Sequence, residues 1–168
     1  AISNNGAIPI LINEKNLNLL SICGGVLLTG GDNKSSLDDY LIKYAIDNKL
    51  PLFGICQGMQ SMALYNTNEV LVAVNNHYDC NHVVNINDSK LKNIICKSQI
   101  LVNSYHQQQV LASKEFKIVA KSIDGVIEAI ESSNNIFQIG VEWHPERMIT
   151  GESKRLFGEF ISQIKETI

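Results

Sequence analysis

Residues 51–65 read PLFGICQGMQSMALY. An apolar run of strand length, 51–55, meets Cys56 and passes at once into a helix-like pattern, with Gly54 and Gly58 two residues to either side of the thiol. A residue at so sharp a strand-to-helix turn takes a strained backbone conformation, and flanking glycines let adjacent backbone pass without Cβ clashes. The turn sets the side chain at a helix N-terminus, where free N–H groups and the dipole favour a thiolate. It also presents the Gln57 N–H beside whatever the sulfur attacks, half of an oxyanion hole. A buried cysteine is otherwise a small hydrophobe. The strand-Gly-x-Cys-x-Gly-helix arrangement favours a nucleophile.

Outward from that junction, short apolar runs alternate with helical patterns. IPILI (8–12) and GVLLTGG (25–31) read as buried strands, and NEKNLNLLSIC (13–23) as a helix with Leu17, Leu20 and Cys23 inward. LDDYLIKYAIDN (37–48) places Leu37, Tyr40, Leu41, Tyr44 and Ala45 on one helical face. Strands apolar on both faces and alternating with helices predict an α/β fold, a mostly parallel sheet covered on both sides. The second half differs. VLVAV, HVVNI, QILVNSYH, FKIVAKS, GVIEAIE and IFQIGVEW follow one another with little but turns between, predicting an antiparallel extension. Ile123-Asp124-Gly125 is a hairpin signal. Residues 153–168 close the chain as an amphipathic helix with Leu156, Phe157, Phe160, Ile161, Ile164 and Ile168 in one stripe, read as core packing.

The totals suit a single domain over 1–168: 168 residues form one ordinary core, and 45% hydrophobic with 18% charged residues is a globular composition. A net charge of −3 without any basic run argues against nucleic acid, and no apolar stretch approaches the roughly 20 residues of a membrane helix. Cys23, Cys56, Cys80 and Cys96 form no CxxC pair, and no signal-peptide pattern is visible, so reduced thiols and a cytoplasmic location are expected. Arginine is confined to Arg147 and Arg155 while Lys, Asn and Ile abound, an association with AT-rich bacterial coding sequence.

A thiol nucleophile needs a base. His144 stands in VEWHPE (141–146) directly after an apolar run, and Pro145 stiffens the backbone so that Glu146 can turn back on the imidazole. His77, Cys80 and His82 in NHYDCNH are ligand types close together, but a fourth ligand is not evident, and no metal is expected there.

GICQGMQ with GVEWHPE resembles the class I glutamine amidotransferase-like superfamily, whose elbow cysteine and His-Pro-Glu pair form a triad. GGVLLTGGD (24–32) resembles the strand and glycine loop giving the second oxyanion donor, while VNSYHQQQV (102–110) and DGVIEAIE (124–131) resemble the γ-glutamyl hydrolase branch, peptidase family C26. The resemblance spans about residues 6–150 and implies a three-layer, flavodoxin-like sheet. It implies Cys56 as nucleophile, His144 as base, Glu146 as its orienter, and the Gly31 and Gln57 N–H groups as the oxyanion hole. Gln60 would bind the γ-glutamyl group, with Ser104, Tyr105 and His106 closing the other side; no cofactor is implied. By the residues alone Gln60 is a solvent-facing helix position, and His106 has a structural alternative.

The activity implied is hydrolysis of a γ-glutamyl amide through a γ-glutamyl thioester. Candidate substrates are γ-glutamyl-4-aminobutyrate, a folate-linked glutamate and γ-glutamyl-CDP-amidate. A glutaminase subunit passing ammonia to a synthetase partner is the alternative, and an inactive binding module the remote one; a homodimer is compatible with either enzyme. Relatives carry a strand and helix before the stretch matching GAIPI, so an N-terminal segment is expected to precede these residues. They also carry longer loops where this chain has GGDNKSSLDDY and ALYNTNEV.

Overall fold

The computed structural model describes residues 1–31 and 35–167. In chain order its elements are β1 (Val26–Leu28), α1 (Ser36–Asp47), β2 (Leu52–Ile55), α2 (Gln57–Ala63), β3 (Val72–Ala73), β4 (Tyr78–Ile86), α3 (Lys90–Ile95), β5 (Gln99–Tyr105), β6 (Gln108–Gln109), β7 (Lys117–Ser122), β8 (Ile127–Glu131), β9 (Gln138–Val141) and α4 (Gly151–Thr167). The main sheet runs β1-β2-β9-β8-β7-β4-β5, and β3 pairs with β6 apart from it. β1, β2 and β9 are parallel, whereas every pairing from β9 to β5 is antiparallel. The antiparallel extension therefore outweighs the parallel part that was expected to dominate.

Alternation along the strands builds the layers. Leu52 packs with Met59 and Met62 of α2 and Leu41, Ile42 and Ala45 of α1. Its neighbour Phe53 faces the other way, among Leu91 and Ile95 of α3 and Leu156, Phe157 and Phe160 of α4. Edge-to-face aromatic contacts at 5.5 Å with Phe137 and 5.4 Å with Phe157 fix that second face. Helix α1 starts at a capping box in which Ser35 and Asp38 satisfy each other's backbone N–H groups. Helix α2 is buried along its whole length. It lies so close to the sheet that a Cβ at Gly58 would come within 2.3 Å of the Leu28 carbonyl oxygen. The glycines around Cys56 are needed for that approach.

Several sequence expectations are corrected. IPILI is an irregular segment rather than a buried strand, with Ile8 89% and Leu11 85% exposed. Pro9, the second residue of the run, removes a ladder donor, which disfavours pairing. Residues 13–23 form only a 3-10 turn, Leu17–Ile22, burying Leu20. On α1 the buried seam is Leu41, Ile42 and Ala45, while Tyr40 faces outward. VLVAV contributes a strand of only two residues. The short helix α3 was not anticipated, although Ser89 caps it by accepting from the Lys92 N–H. The hairpin at 123–125 forms as expected, with Gly125 at φ 92°. In α4 the stripe Leu156, Phe157, Phe160 and Ile161 is buried as expected. Ile168 and residues 32–34 of the GGDNKSSLDDY stretch lie outside the described residues.

Candidate active site

Cys56 sits between β2 and α2 with φ 51° and ψ −112°, a conformation that L residues avoid. Hydrogen bonds on both sides hold it there: its N–H donates to the Val141 carbonyl at 2.8 Å, and its own carbonyl accepts from the Gln60 N–H at 3.0 Å. The elbow is thus pinned to β9 in front and to the first turn of α2 behind. The side chain is buried. Burial first, and the nearby Glu142 second, push the Cys56 thiol up to about 12, against a lowering contribution from the Gln57 N–H. The helix N-terminus was expected to favour a thiolate, but desolvation wins and the resting group is a thiol.

β9 lies beside β2 and leads to the second half of the site. Beyond it, the Asn103 side chain grips the His144 backbone, Oδ1 accepting from its N–H at 2.9 Å and Nδ2 donating to its carbonyl at 3.1 Å. The 3-10 turn Pro145–Arg147 folds the chain back, and His144 Nδ1 stands 2.6 Å from Glu146 Oε1. A carboxylate only accepts, so Nδ1 carries the hydrogen and Nε2 is left with a free lone pair. Burial pushes the Glu146 carboxyl up, but the His144 hydrogen bond, the local N–H and the Arg147 charge outweigh it, and the net shift is downward.

Gly30 shows how close the two halves come. A Cβ built there would lie 3.0 Å from His144 Cε1 and 3.7 Å from Cys56 Cβ. The loop after β1 therefore passes directly against both side chains. A Cβ at Gly31 would come 3.5 Å from Gln57 Oε1, so the two residues of the expected oxyanion hole are neighbours. The same side-chain amide, its Oε1 toward Gly31, donates through Nε2 to Asp38 Oδ2 at 2.9 Å and to Ser61 Oγ at 2.6 Å. That network ties α1 to α2.

The remaining expected residues divide. Tyr105 stands edge-on to His144, centroids 5.8 Å apart, with the Arg147 guanidinium carbon 5.0 Å from the centre of the Tyr105 ring. Gln60 is buried rather than solvent-facing, and its Nε2 donates to Glu142 Oε1 at 2.5 Å and to the Gln108 carbonyl at 3.2 Å. Ser104 Oγ donates to the His77 carbonyl at 2.6 Å, and the His106 ring lies 3.2 Å from both His77 Nδ1 and Glu142 Oε1. Ser104 and His106 thus turn their side chains into the protein behind the cysteine. Burial drives the Glu142 carboxyl well above the ordinary range, the neighbouring Glu128 adding to it and Gln60 opposing it.

Asn103, Glu128 and Glu142 were not singled out from the sequence. For the two acids a signal was present: GVIEAIE and IGVEW each carry glutamate within an otherwise apolar run.

The elbow, the His-Glu pair and the mixed sheet define a class I glutamine amidotransferase-like domain. The peptidase C26 family model matches residues 32–146, and the chain belongs to that family. It is 28% identical over 126 residues to the γ-glutamyl-γ-aminobutyrate hydrolase of Escherichia coli (strain K12), an alignment covering 63% of this chain and 50% of the relative. It is 32% identical over 152 residues to the glutamine-hydrolysing GMP synthase of Dictyostelium discoideum, covering 85% of this chain and 20% of the synthase. The chain therefore spans half the length of the hydrolase and a fifth of the synthase. Among solved structures, the acivicin-bound glutaminase domain of Trypanosoma brucei CTPS superposes with TM-score 0.76 at 18% identity, covering 98% of this chain and 83% of that one. At that identity the likeness concerns the fold. Among the described residues, no helix is long and apolar enough to cross a membrane.

Proposed function

We propose that this domain hydrolyses the amide bond of a γ-glutamyl compound through a Cys56 thioester, releasing glutamate and an amine. The observation that carries the reading is the packing of Cys56 and His144 against Gly30, with Glu146 bound to His144 Nδ1. His144 Nε2 takes the thiol proton as Cys56 Sγ bonds to the γ-carbonyl carbon. The developing oxyanion lies toward the backbone N–H groups of Gly31 and Gln57, each such donor being worth about 3 kcal/mol in comparable sites. His144 then gives its proton to the departing amine as the C–N bond breaks. Water, deprotonated by the same nitrogen, opens the thioester and restores the thiol. A resting thiol fits this sequence, because the base is needed only as the carbon–sulfur bond forms.

Gln60, Tyr105 and the backbone of residues 104–106 are assigned to the glutamyl group. In the resting state the Gln60 amide is engaged by Glu142, so substrate binding would exchange that contact. Similarity to the E. coli hydrolase supports 4-aminobutyrate as the leaving amine; a CDP-amidate is the second candidate. The similarity to a glutamine-hydrolysing synthase across 85% of this chain supports one other reading, a glutaminase unit delivering ammonia to a partner.

The deciding experiment measures glutamate release from a panel of γ-glutamyl amides including glutamine, with Cys56→Ser in parallel. Turnover of a non-glutamine amide that vanishes in the variant is expected. Glutamine turnover only on addition of a synthetase would favour the second reading. Unchanged activity in Cys56→Ser would remove the mechanism.

A further inference from the structure

Behind the elbow lies a cluster that the hydrolytic reaction does not use. His77 precedes β4, His82 lies on it, His106 follows β5, and Glu128 projects from β8. Two irregularities aim these side chains. Ala120 pairs with Ala129 but Lys121 with Ile127, leaving Glu128 as the extra residue of a bulge. In β4, Tyr78 pairs with Tyr105 and Cys80 with Ser104, leaving Asp79 as the extra residue at φ 52°. Asn76, at φ 63°, brackets His77 on its other side.

The outcome is three imidazoles around one carboxylate oxygen. His82 Nε2, His77 Nδ1 and His106 Nε2 lie 2.9, 3.4 and 3.8 Å from Glu128 Oε1. Glu128 is 0% exposed. Despite the short distances, among the described residues neither of its oxygens receives a hydrogen bond of acceptable geometry, and neither nitrogen of His82 has a hydrogen-bond partner. The separations are those of ion pairs, but the directions are wrong for N–H donation.

Outer partners fix the tautomers. His77 Nε2 stands 3.0 Å from Asp124 Oδ2, and His106 Nδ1 stands 2.9 Å from the Gln108 carbonyl. Both partners only accept, so those nitrogens carry the hydrogens. The bare lone pairs of His77 Nδ1 and His106 Nε2 then face each other at 3.2 Å, beside an anionic carboxylate. Such an arrangement requires positive charge at its centre. A single proton shared by His77 and His106 would settle that pair, yet would leave His82 and both Glu128 oxygens unmatched.

We propose that His77 Nδ1, His82 Nε2 and the Glu128 carboxylate, with His106 Nε2 beside them, form a binding site for one divalent transition cation of the Zn2+ type. The three principal ligand atoms lie within 4.8 Å of one another. Ligands held about 2.0–2.1 Å from a tetrahedral Zn2+ are roughly 3.3–3.4 Å apart, within the spread seen around Glu128. Imidazole and carboxylate donors suit this class of ion. The Asp124–His77 contact is the outer-shell bond that orients a metal-bound imidazole. The ion would enter past His82, whose side chain is 17% exposed. Cys80, a ligand type in the same stretch, is excluded, since its Sγ donates to the Asn76 carbonyl at 3.2 Å. Glu128 is the ligand that sequence spacing could not supply.

The test uses the whole chain, stripped with a chelator and dialysed, then titrated with Co2+ and Zn2+. One Co2+ per chain with the visible bands of a four-coordinate site, displaced by one Zn2+, is expected. Uptake is abolished in Glu128→Gln and His82→Asn, weakened about 10–100-fold in Asp124→Asn, and retained in Cys80→Ser. If Glu128→Gln fails to fold by circular dichroism, His82→Asn, at the partly exposed position, carries the test. Substoichiometric uptake, or uptake unchanged in His82→Asn, would overturn the proposal. So would loss in Cys80→Ser, which would assign the metal to a thiol. No uptake together with a doubly protonated His77 in imidazole 15N spectra would identify a proton as the central charge instead.

Discussion

His144 Nδ1 and Glu146 Oε1 are 2.6 Å apart although one intervening proline separates the two residues in the chain. The 3-10 turn beginning at Pro145 makes that contact, and the Asn103 side chain holds the His144 backbone while it forms. The carboxylate fixes which nitrogen is protonated. Glu146→Gln keeps the shape but can offer its amide N–H to Nδ1, which favours the tautomer with Nε2 protonated. A fall in kcat of about 10²–10⁴ with KM changed far less is expected in steady-state kinetics. An equal loss in both parameters would count against an orienting role.

Burial holds the Cys56 thiol near 12. Its alkylation by iodoacetamide in the free protein should therefore keep accelerating through the alkaline range. Cys56→Ser supplies the background for this rate measurement, since Cys23 and Cys80 are partly exposed and Cys96 is exposed. A plateau at or below neutral pH would instead mean a resting thiolate–imidazolium pair.

Two glycines near the elbow should fail in different ways when a methyl group is added. At Gly58 the new Cβ meets backbone, the Leu28 carbonyl oxygen at 2.3 Å, and a loss of about 3 kcal/mol is expected in denaturant unfolding. At Gly30 it meets the His144 ring at 3.0 Å, which can tilt away. Gly30→Ala should therefore stay folded while kcat drops about tenfold or more.

The buried acids predict opposite pH slopes. Glu142 has a folded pKa above its unfolded value of 4.5, so the native state is favoured below that pH and loses stability as pH rises toward the folded value. Glu142→Gln should therefore gain stability relative to the parent as pH rises above about 4.5. For Glu128, burial raises the pKa, but contacts with His106, His77 and His82 carry it down to about 2. Its contribution is present above 4.5 and is lost as pH falls from there toward about 2. Thermal melts of Glu142→Gln and Glu128→Gln across pH, with chelator present, check the two signs. Parallel curves would contradict the assigned charges.

Much of this was legible along the chain. The elbow, the VEWHPE turn and the hairpin at Gly125 are local: their glycines, proline and apolar runs act on backbone within a few residues. IPILI misled because apolarity alone does not provide a partner strand, and Pro9 weakens the run as a ladder. The Gln60 side chain could not be placed from helical spacing, since burying that helix on all sides depends on close approach of β1, β2 and β9.

The sequence by itself determined the strand–elbow–helix unit at Cys56, the identity of the candidate triad and the family. Tertiary structure decided how those residues are charged and what stands behind them. A thiol at a helix start is drawn toward a thiolate by local dipoles, but burial, a property of the assembled layers, reverses the outcome. In the same way His77, His82, His106 and Glu128 are scattered over some fifty residues and meet only because bulges at Asp79 and Glu128 turn the strands. A one-residue bulge changes which face a side chain occupies, and alternation in the sequence does not show where the extra residue falls.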